Sequence, residues 1–334
     1  MENFSSYEPA NDSAAKAESS IIYPPKYQKT EASSNIWLRS FISLALYLIL
    51  GYYVFHSFIM LLVITAIVIF HEMGHFLAMK FYRYSDLGIF FIPLLGAYVS
   101  GTKREVSQKE SAVILLAGPL PGIIIGIGLY FLDETSLEGI YLYNISLSNI
   151  AGLTIFLNLI NLIPVYPLDG GQLLNRVFLD EESWVSKIFV FLSAAFLCWV
   201  AWELKFWILL IFPAMMLLRL QTDSKFKTVE KNIESEGINA DVSYEDLKDE
   251  DYWKIRDILI ADHPSFRDFS AGPPYEYSPK EEKIMTTIQS LLHRHLIQDV
   301  SIAGKIFIIL LWLAAITSPW YLEMDIPFLH RFGF

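Results

Sequence analysis

Apolar residues in this chain gather into long runs, not into the alternating or 3.6-residue stripes of a soluble core. Such runs lie at 37–55, 57–79, 111–132, 149–167, 184–201, 206–220 and 302–322. At about 1.5 Å per helical residue, roughly 20 apolar residues cross the hydrocarbon layer of a bilayer. The pattern therefore predicts an all-α polytopic membrane protein with about seven transmembrane helices. Residues 1–35 are rich in Ser, Ala, Glu and Lys, contain Pro24-Pro25 and show no hydrophobic period, which predicts a disordered tail. Residues 36–220 form the predicted transmembrane core with about six spans, 221–300 a polar insert, and 301–334 the last span with a short tail. The first apolar run follows a long polar stretch and has no small-residue cleavage site, so the tail is expected to be retained.

Composition supports this reading: 54% of the 334 residues are hydrophobic, 15% are aromatic, and the mean hydropathy is +0.39. The single cysteine, Cys198, excludes an intrachain disulfide framework and is expected to serve packing. The net charge of -11 arises mainly in the insert, and nothing basic enough for nucleic acid is present. Arg39, Lys80, Arg83, Lys103, Arg104, Lys109, Arg176 and Lys187 fall on one side of the predicted spans. The loop at 133–148 on the other side carries Asp133, Glu134 and Glu138 and no basic residue. Positive residues stay in the cytoplasm, so the tail and insert are predicted cytoplasmic and the C-terminus external.

The second run contains His71-Glu72-Met73-Gly74-His75. Ionisable side chains inside a span are disfavoured by roughly 2.5 kcal/mol or more at its centre, so a cluster of three marks a functional site. On a helix, H-E-x-x-H sets two imidazoles on one face with a carboxylate beside them, a geometry suited to one metal ion. A catalytic zinc site usually has three protein ligands and an open position, so a third ligand is needed at similar depth. The fourth run descends to the same side and ends in Asn161-Leu-Ile-Pro-Val-Tyr-Pro-Leu-Asp169-Gly-Gly, where Asp169 is the candidate. Pro164, Pro167, Gly170 and Gly171 interrupt regular helix around it.

H-E-M-G-H in the second span followed by N-L-I-P-V-Y-P-L-D-G-G in the fourth resembles the site-2 protease family of intramembrane zinc metalloproteases. The likeness covers roughly Phe58 to Arg176. It implies Zn2+ held by His71, His75 and Asp169, with Glu72 as general base on a zinc-bound water and Asn161 as a contact to the substrate carbonyl. It also implies that the stretch around Ile92-Pro-Leu-Leu-Gly-Ala-Tyr-Val-Ser-Gly101 is a membrane-embedded β-hairpin between the second and third spans. A helical substrate hides its carbonyls, so a strand edge at 94–100 could hold a locally unwound segment by β-augmentation. The implied partner is a membrane-spanning protein substrate within the lipid bilayer. Gly118 and Gly122 are expected to permit close helix packing.

Two other readings compete with the protease: a catalytically silent scaffold of the same fold, and a transporter with broken helices. Intact His71, Glu72, His75 and Asp169 argue against the first, and a transporter does not need H-E-x-x-H. In the insert, Ser278-Pro279-Lys280-Glu281 reads as the start of a helix running toward His295, and 243–260 as another. Neither a peptide-binding PDZ nor a paired nucleotide-binding pattern is recognisable. A small, mostly helical regulatory or docking element is expected, with an unknown regulator.

Overall fold

The computed structural model describes residues 23–28, 35–55, 57–93, 95–103, 106–135, 140–179, 183–262, 266, 269–292 and 296–324. The chain divides into two compact units, one of Met1–Lys29 with Val229–Leu292, the other of Thr30–Thr228 with His293–Phe334.

The larger unit opens with α1 (Ile36–Phe55) and α2 (Phe58–Phe81), the latter capped by the Ser57 hydroxyl, which accepts from the Met60 N–H at 3.3 Å. Strands β1 (Ser85–Ile92) and β2 (Gly96–Thr102) then form an antiparallel hairpin with Ile89 opposite Val99 and Phe90 opposite Tyr98. Its β1 residues Ile89 and Phe91 are buried with Tyr47 of α1 and Leu61 of α2, and the Phe91 N–H donates to the Ser43 hydroxyl. The hairpin expected here is present in the structure. Leu94, the first residue of the stretch assigned to the strand edge, lies outside the described residues.

After the short strand β3 (Val106–Ser107), α3 (Gln108–Ala117) runs to Gly118, and α4 (Pro119–Thr135) begins at a proline suited to a first helical position. Strands β4 (Tyr141–Leu142) and β5 (Ile145–Ser146) turn the chain into α5 (Leu147–Asn161), which runs antiparallel to α4. The close approaches fix that direction: Gly122 faces Asn158, whereas Gly126 faces Ile155 and Ala151. Then come α6 (Asp169–Leu173), a wider helical turn at Leu174–Leu179, α7 (Trp184–Glu203), a tight turn at Trp207–Leu210 and α8 (Ile211–Ser235). In the insert lie α9 (Asp249–Asp262) and α10 (Glu281–Leu291). Strand β6 (Leu296–Ile297) pairs in parallel with β3, and α11 (Ile302–Tyr321) ends the described chain.

Among the described residues, five segments are long and apolar enough to cross a membrane: Ile36–Val54, Phe58–Phe81, Gln108–Asp133, Trp184–Glu203 and Ile302–Tyr321. The other two expected runs look different. The fourth yields only the 15-residue α5, because Pro164 lacks an N–H and disfavours helix in the residue before it. The sixth is shared between the Trp207–Leu210 turn and the apolar start of α8, which then continues into polar sequence.

In the smaller unit, Tyr252, Ile255, Leu259, Phe266, Ile284 and Ile288 are fully or almost fully buried. Arg256 Nε donates to Glu281 Oε1 at 2.8 Å inside this core, and Tyr252 donates to the same oxygen at 2.7 Å. Two local expectations need correction. The helix expected at 243–260 begins only at Asp249, where three acidic residues in its first turn complement the helix dipole. Ser243 instead closes a separate turn, its carbonyl accepting from the Leu247 N–H at 2.9 Å. Residues 23–28 are not a free tail but lie extended on this unit, with the Pro24 carbonyl accepting from Trp253 Nε1 at 2.7 Å. Residues 1–22 and 29–34 of the expected disordered tail and the end of the α10 run at His295 lie outside the described residues.

Candidate metal centre

The site is assembled by α2, α3, α5 and α6. His71 and His75 lie one turn apart on α2, and both are buried, as is Glu72 between them in sequence. Asp169 opens α6 just beyond the proline-bearing turn that follows α5. The glycines after it allow close packing there: a Cβ on Gly170 would stand 2.0 Å from the Leu162 carbonyl oxygen, and one on Gly171 would stand 2.3 Å from the Val165 carbonyl carbon. Only an unsubstituted backbone can press α6 against that turn. Trp312 of α11 ties down the same Leu162 carbonyl with an indole hydrogen bond of 2.8 Å.

Three atoms converge at the centre. His71 Nε2 and His75 Nε2 are 3.1 Å apart, and Asp169 Oδ2 lies 3.1 Å from the first and 3.2 Å from the second. The far sides of the two rings decide what these atoms are. His75 Nδ1 lies 2.7 Å from the Ile114 carbonyl oxygen, which can only accept, so Nδ1 carries the proton. His71 Nδ1 lies 2.8 Å from Asn158 Oδ1. The amide of Asn158 is oriented by its Nδ2, which donates to the Thr154 carbonyl at 2.7 Å, so Oδ1 is an acceptor and His71 Nδ1 is again the donor.

With both protons on Nδ1, each neutral ring turns a lone pair inward. Those lone pairs meet a carboxylate oxygen that is buried and has no hydrogen-bond partner. Three electron-pair donors facing one another without a proton are mutually repulsive unless a cation lies among them. The chemistry of the set, two imidazoles and a carboxylate, fits zinc, whose ligands sit about 2.0–2.2 Å from the ion and hence roughly 3 Å from each other. The structure thus brings together the three residues expected as ligands, and among the described residues they are the group of His, Cys, Asp and Glu side chains placed to hold a metal.

Two asparagines of α5 lie near the site. Asn161 Nδ2 donates to the Leu157 carbonyl, one turn back in its own helix, at 3.0 Å. The asparagine that touches the ligand set is Asn158, one turn earlier. The sequence carries a signal for it, an amide within an apolar helix. The two glycines of Gly118-Pro119-Leu-Pro-Gly122 also have specific neighbours: a Cβ on Gly118 would lie 2.2 Å from His75 Nε2, and one on Gly122 would lie 2.3 Å from Asn158 Nδ2. They leave room for a ligand ring and for the amide that orients the other ring.

Residues 59–137 match the model of Peptidase family M50. The matched stretch is similar to that family and includes His71, Glu72 and His75, whereas Asp169 lies beyond it. With its five long apolar segments among the described residues, the chain is an integral membrane protein. Stage IV sporulation protein FB of Bacillus subtilis is 28% identical over 167 residues, covering 47% of this chain and 57% of that protein. A protein named as a zinc metalloprotease from Methanocaldococcus jannaschii is 28% identical over 138 residues, 40% of this chain and 38% of its own length. The chain therefore spans 57% and 38% of the lengths of these two relatives. A solved site-2 protease from Methanocaldococcus jannaschii superposes with a TM-score of 0.39 at 23% identity, over 54% of this chain and 84% of that one.

Proposed function

We propose that this protein is an intramembrane zinc metalloprotease that hydrolyses a peptide bond of a membrane-spanning protein. The observation that carries the reading is the meeting of two inward lone pairs and a carboxylate oxygen at 3.1–3.2 Å, beside a buried Glu72. Zinc held by His71, His75 and Asp169 supplies Lewis acidity, which polarises the scissile carbonyl and makes water nucleophilic near neutral pH. Glu72 takes the proton of the attacking water on its carboxylate and returns it to the leaving nitrogen, so the peptide bond is exchanged for a carboxyl and an amine. Asn158 and the Ile114 carbonyl hold the two rings in the tautomer that leaves Nε2 free.

The test is a trap. Glu72→Gln keeps the ligand set but lacks the base, so single-span proteins should accumulate with it uncut and be cut in cells carrying the unaltered chain. Failure of any such protein to differ between the two would remove the proteolytic reading.

Substrate presentation falls to β2. In the two-stranded sheet this strand has no further strand partner among the described residues, and Tyr98 on it is exposed. A free edge offers N–H and C=O groups to an unwound substrate. Val99→Pro, or Tyr98→Pro in the alternate register, should lower cleavage sharply at normal zinc content while Val99→Ala is tolerated. Equal loss from alanine and proline would assign the effect to side-chain packing.

We infer the orientation from parity together with the basic residues that flank the spans. Residues 23–28 pack on the insert within one unit, so on this reading tail and insert share a face of the membrane and an even number of crossings separates them. The segments Ile36–Val54, Phe58–Phe81, Gln108–Asp133 and Trp184–Glu203 supply four. Because α5 runs back along α4 it adds a fifth, and the apolar start of α8 must then add a sixth. With α11 the proposed total is seven crossings, and the basic residues flanking the spans assign the insert to the cytoplasm and the C-terminus to the outside. Cysteines placed at 140–146 should label from outside intact cells and those at 236–248 should not. The reverse pattern would overturn the orientation.

A further inference from the structure

The insert holds a site that the proteolytic reading does not use. Residues Tyr23-Pro24-Pro25-Lys26-Tyr27 lie across it without helix or strand structure. Each residue before a proline is held extended, so the segment is stiff before it binds and loses little entropy on docking.

The surface beneath is matched to such a segment. Two prolines offer no N–H, and the surface presents donors where their carbonyls fall: Trp253 Nε1 donates to the Pro24 carbonyl at 2.7 Å and the Tyr277 hydroxyl donates to that of Pro25. The Tyr244 hydroxyl donates to the Tyr27 carbonyl at 2.6 Å. Trp253 forms an aromatic wall with Tyr275 and Tyr277, at centroid separations of 5.0 and 5.7 Å. Tyr23 stacks on Tyr275 at 5.3 Å, and Tyr27 meets Tyr277 edge-on at 5.6 Å.

Lysine is read as well. The Lys26 N–H donates to Asp249 Oδ1 at 2.8 Å, and its ammonium donates to the Glu245 and Leu247 carbonyls at 2.6 Å each. The same ammonium stands 5.7 Å from the centre of the Tyr244 ring. Beneath this layer, Arg256 and Glu281 pair with each other and Tyr252, Ile255, Leu259 and Ile288 fill the core, so the unit has an interior of its own.

We propose that this aromatic cleft is a recognition site for extended Pro-Pro-Lys segments, that residues 23–27 fill it in cis, and that a partner protein bearing such a segment takes their place. Three observations favour exchange over a permanent strap. The hydrogen bonds go to main-chain carbonyls and one lysine, so they suit other chains with the same short pattern. The segment is half-buried at Tyr23, Pro24, Lys26 and Tyr27 and exposed at Pro25, so it sits on the surface and not within the core. It is also tethered, and tethering raises local concentration to about millimolar, which keeps a weak ligand bound until a better or more concentrated one arrives. The site is independent of whether the membrane portion cuts proteins.

The test uses the full-length chain in detergent and a labelled peptide, Ser-Tyr-Pro-Pro-Lys-Tyr-Ser, followed by fluorescence polarisation. A chain with Tyr23→Ser and Lys26→Glu has its own segment released, and it should bind the peptide at least tenfold more tightly than the unaltered chain. The same peptide with glutamate in place of lysine should bind the released chain at least tenfold more weakly. Should the double variant lose its thermal transition, Tyr23→Ser alone replaces it with the same sign of change. Equal binding to released and unaltered chains, or indifference to the lysine, would overturn the proposal.

Discussion

Asp169→Ala and His75→Ala are each expected to lose zinc and cleavage together, whereas Glu72→Gln keeps zinc at about one per chain and loses cleavage by about a hundredfold or more. The split follows from the geometry. Asp169 Oδ2 and the two Nε2 atoms form one triangle, so removing a corner leaves two ligands where three are needed. Glu72 is not a corner, and its amide replacement has nearly the same shape but cannot accept the proton. Metal content by mass spectrometry of purified protein separates the two classes without any substrate. Full zinc occupancy in Asp169→Ala would show that the third ligand is a different residue.

Gly118→Ala is expected to lose zinc nearly as completely as His75→Ala, although the added methyl is the smallest side chain there is. Its Cβ would stand 2.2 Å from His75 Nε2 and 2.5 Å from Cε1, well inside van der Waals contact. The ring cannot slide away while keeping its place, because Nδ1 is held 2.7 Å from the Ile114 carbonyl on the very helix that ends at Gly118. Either that bond breaks or Nε2 leaves the triangle. Gly128→Ala on α4 is the control, since nothing lies within 4 Å of its Cβ, and it should leave metal and activity unchanged. Comparable zinc in Gly118→Ala and Gly128→Ala would mean that the ring does not sit where the ligand role requires.

What could be read from the sequence divides along physical lines. Apolar runs report burial in lipid directly, so α1, α2, α3 with α4, α7 and α11 were legible within a few residues. His71, Glu72 and His75 stood out because charge inside such a run is costly, and Asp169 because two prolines and two glycines mark broken helix. Asn158 was missed because its role is a tertiary fact: only the packing of α5 on α2 shows which amide reaches His71. Residues 23–28 were missed for a related reason. An extended proline segment has no hydrophobic period, and its order comes from the Trp253 and Tyr277 surface more than 200 residues away. The short α5 was foreshadowed by Pro164, but the hydropathy window runs on through 167 because Val165 and Tyr166 are apolar.

The most direct measurement is the position of the cut. A single-span protein retained by the Glu72→Gln chain, placed in vesicles with purified unaltered protein and zinc, should yield fragments whose new termini map by mass spectrometry within its membrane span, and none when Glu72→Gln replaces the unaltered chain. Cuts outside the span, or fragments formed equally by the Glu72→Gln chain, would contradict an intramembrane metalloprotease built on His71, Glu72, His75 and Asp169.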